Sequence, residues 1–164
     1  YIEDSQIGDN VELNNTQCRD SKVGADSKIG PFVQLRPDSV IDARARVGNF
    51  VEIKNSNIGT DAKISHLTYV GDSDLGDDVN LGCGTVTVNF DGKTKNRTTI
   101  EDGAFVGCNS NLIAPVTIGK NAFVAAGSTI TKDVPADALA IARSRQEIKK
   151  GWVTSKKPYK RQYE

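Results

Sequence analysis

Among the side chains able to do chemistry, the single histidine, His66, comes first. An imidazole exchanges a proton near neutral pH, which suits a general base. Cys83 lies between Gly82 and Gly84, where a bare backbone can approach a ligand and offer the Cys83 N–H. With the nearby amide of Asn80, these residues outline a general base with an oxyanion donor. Arg36, Lys54 and Tyr69 make a second set. Two stacked cations repel unless an anion lies between them, and a phenol beside them adds a hydrogen bond, so this set suits a phosphate. Neither set is contiguous, so each is a site only if the fold brings distant positions into register.

The register comes from a six-residue rhythm. Val23, Ile29, Leu35, Ile41, Val47 and Ile53 keep phase, as do Ile100, Val106, Leu112, Ile118, Val124 and Ile130. Helices repeat every 3.6 residues and half-buried strands every two, so neither sustains a strict six. A hexapeptide period predicts a parallel β-helix, in which three short strands and three turns close each coil. Five-residue steps, as at Ile53 to Ile58 and Val70 to Leu75, predict tighter corners. Strands of successive coils stack about 4.8 Å apart, so equal phases are neighbours. Leu35, Ile53 and Val70 then share one corner, which places Arg36 beside Lys54 and Tyr69 near both. Ile64 and Leu81 share another, which places His66 beside Cys83. Glu52 shares the phase of Tyr69 and is placed to orient it or a nearby cation.

Composition agrees with a solenoid, which needs only one inward side chain per strand and corner. Only 37% of the 164 residues are hydrophobic and 6% aromatic. The 21 basic and 21 acidic residues balance, giving no general affinity for nucleic acid. The balance is uneven along the chain, with 13 basic and 18 acidic residues in 1–134 but 8 and 3 in 135–164. Cys18, Cys83 and Cys108 show no metal spacing and do not pair evenly, predicting a reducing, cytoplasmic location. No stretch reads as a membrane span or a signal peptide. The lack of methionine and a start inside the repeat predict a piece of a longer protein or a trimmed chain.

The rhythm defines a β-helix over 1–134 and is lost after Leu81. An excursion over about 87–99 carries the turn signal Asp91-Gly92. A long loop expelled from a regular coil is usually functional. The rest, 135–164, reads as a turn, a short helix over 138–150 capping the open end, and an extended basic arm with Trp152 and Tyr159 as anchors.

These residues resemble one family. The runs Ile29-Gly30-Pro31-Phe32, Val47-Gly48-Asn49-Phe50-Val51-Glu52-Ile53-Lys54, His66-Leu67-Thr68-Tyr69-Val70-Gly71-Asp72, Asn80-Leu81-Gly82-Cys83-Gly84-Thr85 and Asn89-Phe90-Asp91-Gly92 carry the likeness. They are similar to the C-terminal acetyltransferase domain of the bacterial bifunctional N-acetylglucosamine-1-phosphate uridyltransferase/glucosamine-1-phosphate N-acetyltransferases. The resemblance covers nearly the whole chain. It implies a left-handed parallel β-helix, all-β apart from a short C-terminal helix and tail, assembled as a homotrimer with active sites between subunits. It implies acetyl transfer from acetyl-CoA to the 2-amino group of glucosamine 1-phosphate, a step towards UDP-N-acetylglucosamine and the cell-wall precursors made from it.

By matching positions, His66 would be the base and the Cys83 N–H would face the thioester oxygen. Arg36, Lys54, Tyr69 and Lys95 would hold the sugar phosphate, and Asn80 and Asn89 the sugar. Acetyl-CoA would meet Cys83, Asn89, Phe90, Cys108, Ala126 and Arg143. Phe90 stands where the family often has Tyr, and Cys108 where Ser is common, so each offers the cofactor less hydrogen bonding. No metal is expected for acetyl transfer, and Mg²⁺ would belong to the uridyltransferase half. That half opens with a Gly-rich Leu-Ala-Ala-Gly loop that this sequence lacks, so no UDP-sugar synthesis is expected.

Other readings of a hexapeptide coil fit less well. A γ-type carbonic anhydrase needs three histidines for zinc, and this chain has one. An ice-binding solenoid favours monotonous Thr ladders, whereas these faces vary and a loop intrudes. A hexapeptide acyltransferase with a different amino-sugar acceptor remains the alternative.

Overall fold

One aliphatic side chain per short strand turns inward, and the computed structural model, which describes residues 1–156, winds these strands into a parallel β-solenoid. Every third strand joins the same wall, giving parallel sheets of eight, seven and eight strands. Ile53 pairs with Leu35 on one side and Val70 on the other, and Ile64 pairs with Leu81. The five-residue slips tighten corners without breaking phase, since Ile2 pairs with Cys18 and Ile58 with Leu75. The inward column, including Leu35, Ile53, Ile64, Ile100 and Leu112, is essentially inaccessible to water. Each such side chain contributes about 1.5–3 kcal/mol relative to exposure. Ile53→Ala would leave an unfilled hole within this column and cost about 2–5 kcal/mol.

Corners need a left-handed residue. Asp and Asn fill most of them, as at Asp26 (φ 60°), Asp61 (59°) and Asn109 (54°), because their short polar side chains tolerate that conformation. One corner row departs from this. Phe32 (59°), Phe50 (56°) and Leu67 (45°) hold the same backbone shape, although bulky residues rarely do. Their side chains are more than half exposed, and the Phe32 and Phe50 rings stack 5.3 Å apart. At Gly48 the constraint is close approach instead. A Cβ there would lie 2.9 Å from the Ser65 carbonyl carbon on the next coil.

Three expectations need correction. The excursion set at 87–99 is narrower, because Val86–Val88 and Thr98–Ile100 are both strands. Thr87 takes the inward place expected of an aliphatic residue and pairs with Leu112. Its hydroxyl is satisfied by the Gly71 N–H (2.8 Å) and the Gly71 carbonyl (3.2 Å), so the coil tolerates it. The solenoid also continues past residue 134. Leu139–Ala140 pairs with Phe123–Val124, and the Phe123 N–H donates to the Ala138 carbonyl at 2.8 Å. An open sheet edge offers unpaired backbone groups, and strand pairing satisfies them where a helix would not. The helix accordingly falls at Trp152–Lys156 rather than over 138–150. Trp152, expected in an extended arm, therefore opens that helix, while Tyr159 and the rest of 157–164 lie outside the described residues. Among those described, no helix is long and apolar enough to cross a membrane.

Candidate active site

The coil assembles one long row at the corner that carries His66. His66 pairs with Asn49. The Gly84 N–H donates to the Leu67 carbonyl, which sets Cys83 beside His66. Asn109 N–H to Cys83 carbonyl and Gly127 N–H to Cys108 carbonyl then carry the row through Cys108 to Ala126 (2.8 Å each). Arg143 follows at the far end, its Cδ facing Gly127. Four coil steps separate His66 from the far end, or roughly 19 Å along the axis. Beyond His66 the side chains are short, which leaves an open lane.

Two features of this row suit chemistry. The His66 imidazole has no hydrogen-bond partner among the described residues, so both ring nitrogens are available. The backbone N–H groups of Cys83, Cys108 and Ala126 donate to no other group of the described chain, while the flanking Gly82 and Gly84 N–H groups are both paired. The coil thus presents one free donor per turn along the lane. A groove of about 340 Å³ approaches His66 from the other side, lined in part by Lys28, Arg46, Asn49 and Ser65.

The cationic set lies on the outer face of the adjoining sheet, three residues along the chain from His66. Glu52 pairs in register with Tyr69, but its carboxylate accepts from Arg36 Nη1 at 2.7 Å, so it orients the cation rather than the phenol. Lys54 lies close to Lys95, which arrives from the loop. The contact with Lys95, then burial, then the Lys95 and Arg36 charges hold the Lys54 ammonium below the usual lysine range, with Asp72 opposing. Close cations with few anions between them leave room for an anionic ligand. Tyr69 Oη lies 3.4 Å from Asn89 Nδ2. A Cβ at Gly71 would collide with the Tyr69 phenol, so glycine there lets the ring fold across the strand.

The loop that brings Lys95 is held at both ends. Asp91 Oδ1 accepts from the N–H groups of Lys93 and Thr94 at 2.8 and 2.7 Å, and Oδ2 accepts from the Thr94 hydroxyl at 2.8 Å. These bonds hold the Asp91 carboxyl far below the usual carboxylate range. Arg97 forks onto Asp74 at 2.9 and 2.6 Å and also donates to the Asn55 and Ser73 carbonyls.

Within one chain, Arg36, Lys54, Tyr69, Asn89 and Lys95 therefore gather on one face, and His66, Cys83, Cys108, Ala126 and Arg143 along its edge. Asn80 stands apart, on the outer surface of another sheet between Lys63 and Phe105. Phe90 projects from the loop, about half exposed. Asn55, Asp72 and Arg97 were not singled out in the sequence. Asp72 follows Gly71 as Asn55 follows Lys54, so the same phase rule pointed to their contact. Among the described residues no cluster of three His, Cys, Asp or Glu side chains converges as a metal site would require.

Known proteins with this pattern are numerous. The family described as bacterial transferase hexapeptide (six repeats) matches residues 20–55 and 97–132. The chain is 58% identical over 157 residues to the bifunctional protein GlmU of Caldicellulosiruptor saccharolyticus, covering 96% of this chain and 34% of that protein. It is 59% identical to GlmU of Acetivibrio thermocellus, covering 93% and 33%. It thus spans about a third of the length of these relatives. Among solved structures, UDP-N-acetylglucosamine acyltransferase of Campylobacter jejuni shares the fold, with a TM-score of 0.55 at 20% identity over 86% of this chain and 69% of that one. The corresponding Francisella novicida enzyme has a TM-score of 0.55 at 17% identity, over 84% and 63%. The repeat, the coil and this identity over nearly its whole length place the chain in the bacterial hexapeptide-repeat transferases, as the C-terminal domain of the bifunctional GlmU proteins.

Proposed function

We propose that this domain transfers the acetyl group of acetyl-CoA to the 2-amino group of glucosamine 1-phosphate. The observation that carries the reading is the junction at His66, where a lane of free backbone donors meets a three-cation face on the same coils. A phosphate on Arg36, Lys54 and Lys95 would leave the sugar ring pointing towards the imidazole. Tyr69 and Asn89 line the path between them, and Asn80 would reach the sugar from a neighbouring copy. An extended thioester chain would run along Cys83, Cys108 and Ala126, its amides meeting the free N–H groups, with Arg143 near its far end and Phe90 against its reactive end.

The chemistry follows from these positions. An ammonium cannot attack a thioester, so the sugar amine must first lose a proton, and His66 would take it. The neutral amine adds to the thioester carbonyl, and the C=O electron pair moves to oxygen. The Cys83 N–H would stabilise that oxyanion, a kind of donor whose loss typically costs about 10²–10³ in rate. Collapse re-forms the carbonyl and breaks the C–S bond, and the proton that the attacking nitrogen gives up neutralises the departing CoA thiolate. The amine is itself a good nucleophile, so no acyl-enzyme is required, and no residue here is asked to hold a metal.

The assembly read from the resemblance, a homotrimer with sites between copies, is supported by Phe32, Phe50 and Leu67. These exposed apolar side chains form a stripe next to His66, a surface that monomers rarely leave open. Reduced cytoplasm suits the three free thiols. The test is thiol release from acetyl-CoA with a panel of amino sugars. Turnover is expected with glucosamine 1-phosphate. Turnover only with another amino sugar would replace this acceptor by that one and leave a different hexapeptide acyltransferase.

A further inference from the structure

We propose that Asp72 is a positioning residue for the sugar-phosphate end of the site, fixing the Asn89 amide and balancing the charges of Lys54 and Lys95. The inference rests on the proposed function for its substrate but not for its geometry. Asp72 is 4% exposed and is the only buried carboxylate among the described residues. Asp38 and Asp20 occupy the same corner two and three coils earlier, yet both are exposed. Something specific to this coil therefore covers Asp72.

The covering groups are a corner amide on one side and the site on the other. Asn55 Nδ2 donates to Oδ1 at 2.6 Å from one neighbouring coil. Asn89 Nδ2 donates to Oδ2 at 2.5 Å from the next, where the loop departs. Lys54, Lys95 and Arg97 are the charged groups around the carboxylate, and Tyr69 is the titratable neighbour of Asn89. Burial raises the Asp72 carboxyl, but the two amides and the lysine charges outweigh it and hold it below the usual carboxylate range.

An ionised carboxylate only accepts hydrogen bonds, so the nitrogen of Asn89 must face it. That leaves Asn89 Oδ1 committed as an acceptor towards the open face, where a sugar hydroxyl or amine would donate to it. The same negative charge favours the ammonium form of Lys54, which the neighbouring Lys95 opposes. One buried carboxylate thus sets both the polarity of the sugar contact and the charge of the phosphate contact. An Asp72→Asn substitution keeps the shape but adds a donor and removes the charge. One flanking amide must then turn or lose its bond.

The test reads two quantities on the whole chain. Asp72→Asn should raise the KM for glucosamine 1-phosphate about tenfold or more, the loss of a hydrogen bond to a charged group. Binding of inorganic phosphate, measured by calorimetry between about pH 7 and 10, should begin to fall at lower pH than in the unsubstituted protein, because Lys54 loses its counter-charge. Asn89→Ala should raise the sugar KM similarly without moving the alkaline fall, and the double variant should be no worse than Asp72→Asn. An unchanged KM and alkaline fall in Asp72→Asn would overturn the proposal. So would equal effects of Asn55→Ala on both readouts, since that would mark a role in corner structure alone. Should Asp72→Asn not fold, Asp72→Glu decides instead. It should keep the alkaline fall and raise the KM, and an unchanged KM would overturn the role. A protein that binds phosphate but does not acetylate glucosamine 1-phosphate would refute the function and leave the phosphate titration to judge Asp72.

Discussion

Replacing Gly71 by alanine should disable the site while sparing the coil. The added Cβ would lie 2.6 Å from Tyr69 Cζ and 2.7 Å from Asn89 Nδ2. Both neighbours are side chains, so they can swing away, whereas a backbone neighbour could not. The swing removes the phenol from the cationic face, worth about 0.5–1.5 kcal/mol for one hydrogen bond. It also pulls the Asn89 amide from the Asp72 carboxylate, a bond to a charged group worth about 1.5–3 kcal/mol. Together these predict a loss of about 2–4 kcal/mol at the substrate, or roughly 30- to 1,000-fold in kcat/KM for the sugar phosphate. Overpacking costs the fold only about 1–3 kcal/mol. The assay is kcat/KM with glucosamine 1-phosphate at saturating acetyl-CoA, alongside a thermal melt. Gly48→Ala is the contrast, because its Cβ would meet Ser65 backbone and should unseat the coil. A Gly71→Ala protein with wild-type kcat/KM would refute the placement of Tyr69 and Asn89 in the site.

Other outcomes follow from the same geometry. Arg36→Ala should raise the KM for the phosphorylated sugar about tenfold, the loss of one charge-assisted contact, with kcat little changed. Lys95 is the first cause of the low Lys54 ammonium, so sugar-phosphate affinity should fall as pH rises through that lowered range. Lys95→Gln should weaken binding yet move this fall to higher pH, as KM measured between about pH 7 and 10 would show. Arg97→Ala removes the latch onto Asp74 and should expose the loop to trypsin at Lys93 and Lys95. The pair is partly exposed, so global stability should drop by about 1 kcal/mol at most.

The solenoid was legible because a coil converts phase into distance. Ile53 with Lys54, and Ile64 with His66, could be stacked on their neighbours by arithmetic alone, and the registers agree. Thr87 was not legible, because a β-branched polar residue can replace an aliphatic one once its hydroxyl finds carbonyl and amide partners. Leu139–Ala140 failed for another reason. Ala138-Leu139-Ala140-Ile141-Ala142 suits a helix or a strand, and only the waiting sheet edge decides. The cationic face was half visible. Arg36 and Lys54 lay on the coil and obeyed its phase, whereas Lys95 sits in a loop that phase does not reach, and its place came from the family resemblance. Nothing in the sequence marked Asp72 as buried, since burial by a loop leaves no mark in a repeat.

The most direct measurement follows product by mass spectrometry when the protein is given acetyl-CoA and glucosamine 1-phosphate, with His66→Ala beside it. The expected products are N-acetylglucosamine 1-phosphate and one equivalent of free CoA thiol. His66→Ala should still bind acetyl-CoA while its kcat falls about 10²–10⁴-fold. Product formed by His66→Ala at the wild-type rate, or no product from the unsubstituted protein, would contradict this mechanism.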